Sequence, residues 1–124
     1  MKLRLRENSI RLRLLQSEIK MLHDDGFVSE KIRFATQQTL TYTIRASEII
    51  QEIAAQFENE EITIEVPKLL ADEWTQTECV GLEGEQKIDG NLSLKILLEK
   101  DFVCLERPAD IDNGDAFPHL KMQR

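Results

Sequence analysis

Laid against itself at an offset of 52 residues, the chain repeats its order of elements, and no other feature constrains the fold as much. Ile10, Leu12 and Leu14 fall on Ile62, Ile64 and Val66, Leu22 on Trp74, Val28 on Val80, and Leu40, Tyr42 and Ile44 on Leu92, Leu94 and Ile96. From Ile10 to Ile44 the match needs no gap, while Glu7-Asn8 and Glu58-Asn59, which each start a turn, lie one residue out of register. Identities are few, so the repeat rests on the matched sequence of elements: strand, strand, helix, strand, strand, twice.

The strands are read from alternation. In KLRLRENSIRLRL, Leu3 and Leu5 share one face, as do Ile10, Leu12 and Leu14 across a Glu7-Asn8-Ser9 turn. Lys2, Arg4, Arg6, Arg11 and Arg13 take the other face, because side chains on a strand alternate with period two. Leu15, Ile19 and Leu22 recur at helical spacing, with Glu18 in the first turn and Gly26 as the stop. Lys31 to Phe34 and Thr39 to Arg45 alternate again. Ser47 to Glu58 fits either a helix face or a strand, and reads as a short helical or irregular start followed by a strand from about Ile53. Ile62, Ile64 and Val66 follow, then Pro67 at the first position of a second helix carrying Leu70 and Trp74. Val80 and Leu82, a hairpin turn at Asp89-Gly90 and a strand through Leu92, Leu94, Ile96 and Leu98 complete the pattern.

The expected fold is α+β, with about eight mainly antiparallel strands in a strongly curved sheet or barrel and two short helices as cover. At 124 residues the chain reads as one domain over 1–105, with pseudo-repeats at about 2–46 and 53–99 and an acidic tail at 106–124. Phe102 to Leu105 extend the last strand, and the tail lies over the body or moves freely. No run reaches the ~18 apolar residues of a membrane helix, and Met1 leads straight into alternation, so the expected location is cytoplasmic. Cys79 and Cys104 are then read as thiols, although spacing alone leaves their pairing open. His23 reads as a partner of its helix's C-terminal end, and Trp74 and Tyr42 as core residues.

The functional signal is charge. The formal net charge is −7, which disfavours nucleic acid, as does the lack of aromatic residues among the strand cations. A cationic site must therefore be local. Arg4, Arg6, Arg11, Arg13, Lys31 and Arg33 are the candidate ligand-binding residues. On a concave sheet face they would clamp a phosphorylated small molecule or polyphosphate, since guanidinium forks match phosphate oxygens. Under the 52-residue shift Arg13, Lys31 and Arg33 fall on Glu65, Glu83 and Glu85. These carboxylates are the candidate ligands of a divalent metal such as magnesium, which would allow phosphohydrolysis. A tail set of Cys104, Glu106, Asp110, Asp112, Asp115 and His119 matches no standard zinc or calcium spacing. No residue is assigned a catalytic role. Two plainer accounts stand beside the clamp: cations on the solvent side of a half-buried sheet, or a basic half paired with an acidic half. A protein-interaction module that docks a partner on the charged face or a sheet edge is the alternative function.

Two resemblances follow from these residues. The duplicated unit and charged sheet face resemble the triphosphate tunnel fold of the CYTH-like enzymes. That likeness implies an eight-stranded antiparallel barrel acting on triphosphates with a divalent metal. The family's Glu-x-Glu-x-Lys signature is replaced here by Lys2-x-Arg4-x-Arg6, so no catalytic residue carries across. RENSIRLRL, FENEEITIEVP, EKDFVCL and DAFP are similar to a family of small uncharacterised bacterial proteins over essentially the whole chain. That likeness implies no activity.

Overall fold

The computed structural model describes residues 1–102 and 115–117. Its elements are β1 (Lys2–Arg6), β2 (Ser9–Leu14), α1 (Gln16–Asp25), β3 (Phe27–Ala35), β4 (Gln38–Ser47), β5 (Ala54–Glu58), β6 (Glu61–Pro67), α2 (Lys68–Gln76), β7 (Gly81–Asp89) and β8 (Leu92–Lys100). Each half of the chain gives one hairpin to each of two four-stranded sheets. The first sheet runs β1-β2-β8-β7 and the second β3-β4-β6-β5. The hairpins are antiparallel, whereas the central pairs β2–β8 and β4–β6 are parallel. The sheets are thus antiparallel-rich, as expected, but mixed: four pairings are antiparallel and the two central ones parallel.

The repeat is present and exchanges the two sheets, but its offset is not constant. Ser9 pairs with Lys95, and the equivalent pair is Glu61 with Thr41. The step is 52 from Ser9 to Glu61 and 54 from Thr41 to Lys95. Val28 therefore corresponds to Leu82, and Leu40, Tyr42 and Ile44 to Leu94, Ile96 and Leu98. The gapless match fails because Gly26 alone joins α1 to β3, whereas Thr77 to Val80 join α2 to β7. A slip of two residues preserves the period-two pattern, so alternation cannot reveal it. The turns, in contrast, match at 52: Glu7 and Asn8 have φ of 48° and 65°, Asn59 and Glu60 of 51° and 62°. Positive φ at both central positions is the requirement of a tight hairpin turn that follows the strand twist.

The expected barrel does not close: the ladder is interrupted between β7 and β5 and between β1 and β3. At the first seam a side chain substitutes for a ladder. Gln86 Nε2 donates to the Ala55 carbonyl at 3.0 Å, and the Ala55 N–H donates to Gln86 Oε1 at 2.7 Å. At the second, ions do so, as described below.

One core joins all layers. Leu12, Leu14, Ile96 and Leu98 of the first sheet meet Ile44, Ile64 and Val66 of the second, with Ile19, Leu22, Ala71 and Trp74 from the helices. Trp74 is fully buried and its indole N–H donates to the Val80 carbonyl at 3.2 Å. Gly26, at φ 83°, stops α1 as expected. Pro67 precedes α2 as its cap, one position earlier than expected. His23 in the last turn of α1 meets Gln76 at 3.3 Å. No helix among the described residues is long and apolar enough to cross a membrane.

The start of the tail falls partly in view. Phe102 bridges Phe117, with ring centroids 5.7 Å apart. Asp115 lies at the N-terminus of α1, where its carboxylate accepts from Ser17 N–H at 3.2 Å and its carbonyl from Gln16 N–H at 3.0 Å. These are groups that no residue inside the helix can satisfy, so this part of the tail is a cap. Cys79 is a free thiol. Cys104, the extension of β8 beyond Phe102, and Glu106, Asp110, Asp112 and His119 of the tail set lie outside the described residues.

Candidate functional site

The outward face of the first sheet can be written as rows across β1, β2, β8 and β7. They read Lys2, Arg13, Glu99, Gly81; then Arg4, Arg11, Leu97, Glu83; then Arg6, Ser9, Lys95, Glu85. The hairpin β1–β2 thus gathers five cations in one place, because its apolar residues take the opposite face, with Leu3, Ile10, Leu12 and Leu14 on the core and Leu5 at its open edge. Arg4 and Arg11 are direct cross-strand neighbours, as are Lys2 and Arg13. Like charges so placed repel, at roughly 0.2–1 kcal/mol for each pair.

Counter-charges are few. Arg11 forms an ion pair with Glu99, and Arg13 lies 3.7 Å from the same carboxylate. Lys2 Nζ lies 3.0 Å from the buried Asp101 Oδ2, as an ion pair without hydrogen-bond geometry. Arg6 comes within 3.8 Å of Glu7, both of them well exposed. Arg4 has no ion pair among the described residues. Among the described residues the expected pairing of a basic half with an acidic half is thus met at Glu99 and Asp101, and leaves Arg4 and Arg6 outside it.

The second sheet places the remaining candidates. Its outward rows across β5, β6, β4 and β3 read Ala54, Glu65, Arg45, Phe27; then Gln56, Thr63, Thr43, Ser29; then Glu58, Glu61, Thr41, Lys31, with Arg33 beyond. Lys31 and Arg33 are therefore on a different sheet from Arg4, Arg6, Arg11 and Arg13, and the six do not converge. Nor do the metal candidates. Glu65 is beside Arg45 on the second sheet, whereas Glu83 and Glu85 are on β7 of the first. Among the described residues no three His, Cys, Asp or Glu side chains are grouped to hold a metal. The cations also do not face an enclosed space. The space between the sheets is apolar, and the charged faces turn to solvent because alternation leaves them no other side.

Sequence reasoning missed a buried ionic cluster at the seam between β1 and β3. The Met1 ammonium donates to Glu18 and, at 2.9 Å, to Glu30 Oε1. The Tyr42 hydroxyl donates to Glu30 Oε2 at 2.7 Å and lies 3.0 Å from the Met1 carbonyl. Burial alone would push the ammonium down, but the hydrogen bonds and charges of Glu18 and Glu30 outweigh it and raise it above its ordinary 8.0. Burial likewise opposes ionisation of Glu30, yet its bonds to the ammonium and Tyr42 hold it below its ordinary 4.5. Burial, then Glu30, pushes the Tyr42 hydroxyl well up. Elsewhere burial lowers Lys100, which donates to the Thr77 carbonyl at 2.8 Å. The repeat gives the missing signal. Met1, Glu18, Glu30 and Tyr42 correspond to Ile53, Leu70, Gly84 and Ile96, so a polar set replaces an apolar one.

The model of a family of unknown function matches residues 1–121. The chain belongs to the DUF7009 family. Neither the curated proteins nor the solved structures contain a match to it. The family relationship therefore covers the whole described DUF7009 fold and assigns no residue a role.

Proposed function

We propose that the protein is a binding module for an anionic ligand, held on the outward face of the β1–β2 hairpin by Arg4, Arg6, Arg11 and Arg13. The observation that carries this reading is the comparison between the two equivalent hairpins. Where β1–β2 has Lys2, Arg4, Arg6, Arg11 and Arg13, β5–β6 has Ala54, Gln56, Glu58, Thr63 and Glu65. The fold thus builds the same hairpin without cations, and with them it sets like charges side by side. A bound polyanion relieves that repulsion through charge-assisted hydrogen bonds.

The ligand is a phosphorylated compound or a polyphosphate, and a divalent ion would arrive with it rather than in a protein cage. A triphosphate enclosed in a tunnel, with metal-assisted hydrolysis, is the finer form of this reading. Its support is the duplicated strand-strand-helix-strand-strand unit alone. Because the face is open, the acidic surface of a partner protein is the second reading.

Thermal melts with tripolyphosphate, phosphate and citrate, each with magnesium or EDTA, test the proposal. Tripolyphosphate at a hundredfold excess over its Kd is expected to add about 2.7 kcal/mol of stability. Arg4→Gln plus Arg11→Gln should abolish that gain and raise the melting temperature of the free protein, since Gln56 is what the repeat places opposite Thr63. Lys31→Gln plus Arg33→Gln should leave the gain intact. No gain in a cooperative melt, or an equal gain in the Arg4/Arg11 variant, would overturn the reading.

A further inference from the structure

The helices close one end of the space between the sheets, and the other end is open. There the β3–β4 hairpin continues past its last pairing with β6 at Thr41, and the β7–β8 hairpin past its last pairing with β2 at Lys95. Between the bases of these two overhanging arms lies a cleft of about 670 Å³. Its walls come in pairs related by the repeat: Leu5 with Phe57, Ile10 with Ile62, and Leu40 with Leu94. Leu5 and Phe57 at its lips are 60% and 70% exposed. A second hollow, between Phe57 and the arm residue Phe34, shares Leu40 and Phe57 with it.

The paired walls are apolar, so the site offers an apolar body its burial energy and nothing else. The rim is not symmetric. Arg6 lines it on one side, and the residue equivalent to Arg6 on the opposite hairpin is Glu58. Of the polar rim groups, Asn8 is committed to the Ser93 carbonyl at 2.6 Å and Ser9 to the Arg6 carbonyl. Among the described residues the Arg6 guanidinium has one ion-pair partner, the exposed Glu7 carboxylate at 3.8 Å, which also lines the cleft. It is also continuous with Arg4 and Arg11 in the next row of the face. A cleft of this volume lies within the usual range for small-molecule sites.

We infer that the cleft takes a small amphipathic anion, with its chain between Leu5 and Phe57 and its carboxylate or phosphate at Arg6. This rests on the reading above in one respect, that the hairpin's cations bind anions, and it adds the class of ligand. A carboxylate and a phosphate are equivalent to Arg6 here, and the length of the apolar chain sets the affinity. A charged head leaving water for Arg6 gains a charge-assisted bond, while each methylene fully buried in the cleft tightens binding about fourfold.

The test uses 1-anilinonaphthalene-8-sulfonate on the folded, full-length chain, displaced in turn by hexanoate, decanoate, decyl phosphate and decanol. Decanoate and decyl phosphate should displace the probe far better than hexanoate, and better than decanol. Arg6→Gln should weaken decanoate roughly tenfold and leave decanol unchanged. Phe57→Asp, at an exposed position that the fold does not need, should abolish displacement while leaving the tripolyphosphate response intact. Equal competition by decanol, or indifference to Arg6→Gln, would overturn the anionic part of the site. Probe binding unaffected by Phe57→Asp would overturn the cleft. A stable dimer in sedimentation, with the probe excluded, would overturn it as well, by showing a second copy over the arms. Decanoate binding that depends on Arg6 without any tripolyphosphate response would support the cleft and remove the polyanion face. The converse would remove the cleft and leave the face.

Discussion

Trp74→Ala should lower the unfolding free energy by about 3–5 kcal/mol, the usual effect of removing a large aromatic side chain from a core that cannot collapse around the gap. Trp74 is fully buried on α2, amid residues of the helices and both sheets. Its indole N–H also satisfies the Val80 carbonyl, in the link that carries the extra residues of the second half. The variant therefore loses packing together with one of the two hydrogen bonds to the Val80 carbonyl, the other coming from the Lys100 N–H at 3.0 Å. At roughly 3–6 °C per kcal/mol for a chain of this size, the melting temperature should fall by about 9–30 °C. Trp74→Leu is the natural control, since Leu22 fills the equivalent place on α1, and it should cost less than half as much. Urea melts with unchanged slope would check both. A loss under about 1 kcal/mol for the alanine variant would show that α2 does not seal the core.

The second large effect is expected at Glu18. Its carboxylate accepts from the Met1 ammonium and, at 2.8 Å, from the Leu15 N–H at the start of α1, and its side chain is only 11% exposed. In a polypeptide that begins at Met1, Glu18→Gln leaves a buried ammonium short of a partner, at about 3 kcal/mol. The pH dependence follows from the two shifted groups of the same cluster. The ammonium is raised in the folded protein, so its contribution is whole below about pH 8 and is lost as pH climbs through the folded value. Glu30 is lowered, so its contribution is whole above its ordinary 4.5 and is lost as pH falls through the folded value. Stability should therefore form a plateau between these limits and decline on both sides. Glu30→Gln should flatten the acid side, and Glu18→Gln the alkaline side. Melts from pH 3 to 11 would show it, and parallel profiles for wild type and both variants would refute the assignment.

The elements were legible because hydrophobic period announces them. All eight strands and both helices lie where alternation and helical spacing put them, including β5, which begins at Ala54, one residue from the expected start. The ambiguous stretch from Ser47 contains no helix. What alternation could not supply is strand pairing. A period of two is blind to a slip of two, so a gapless match places β3–β4 two residues early on β7–β8 and sets Lys31 and Arg33 on Glu83 and Glu85, where the structure has Glu85 and Lys87. Pairing also decides which cations share a sheet. Arg4, Arg6, Arg11 and Arg13 are neighbours within one hairpin, so local sequence sufficed for them. Lys31 and Arg33 needed the sheet order, which depends on contacts between distant parts of the chain. The cleft and the ammonium cluster share that origin: Leu5, Leu40, Phe57 and Leu94 come together only once both halves have folded across each other. Enclosure is illegible for a related reason. An outward polar face and an inward one have the same alternation, and only the position of the core tells them apart.

The interrupted ladder has a consequence of its own. A closed barrel is held by one kind of force around its whole girth. Here the two gaps are joined by different means. One is a neutral amide bridge from Gln86, beside Ile53 packed over Gly84, where an added methyl group would come within 3.0 Å of the isoleucine. The other is ionic, made of an ammonium and two carboxylates. Protons act on the second and leave the first untouched. The two halves of the chain repeat one topology, yet they answer differently to their surroundings: one join has no group that titrates, and the other acts as a clasp that acid or alkali weakens.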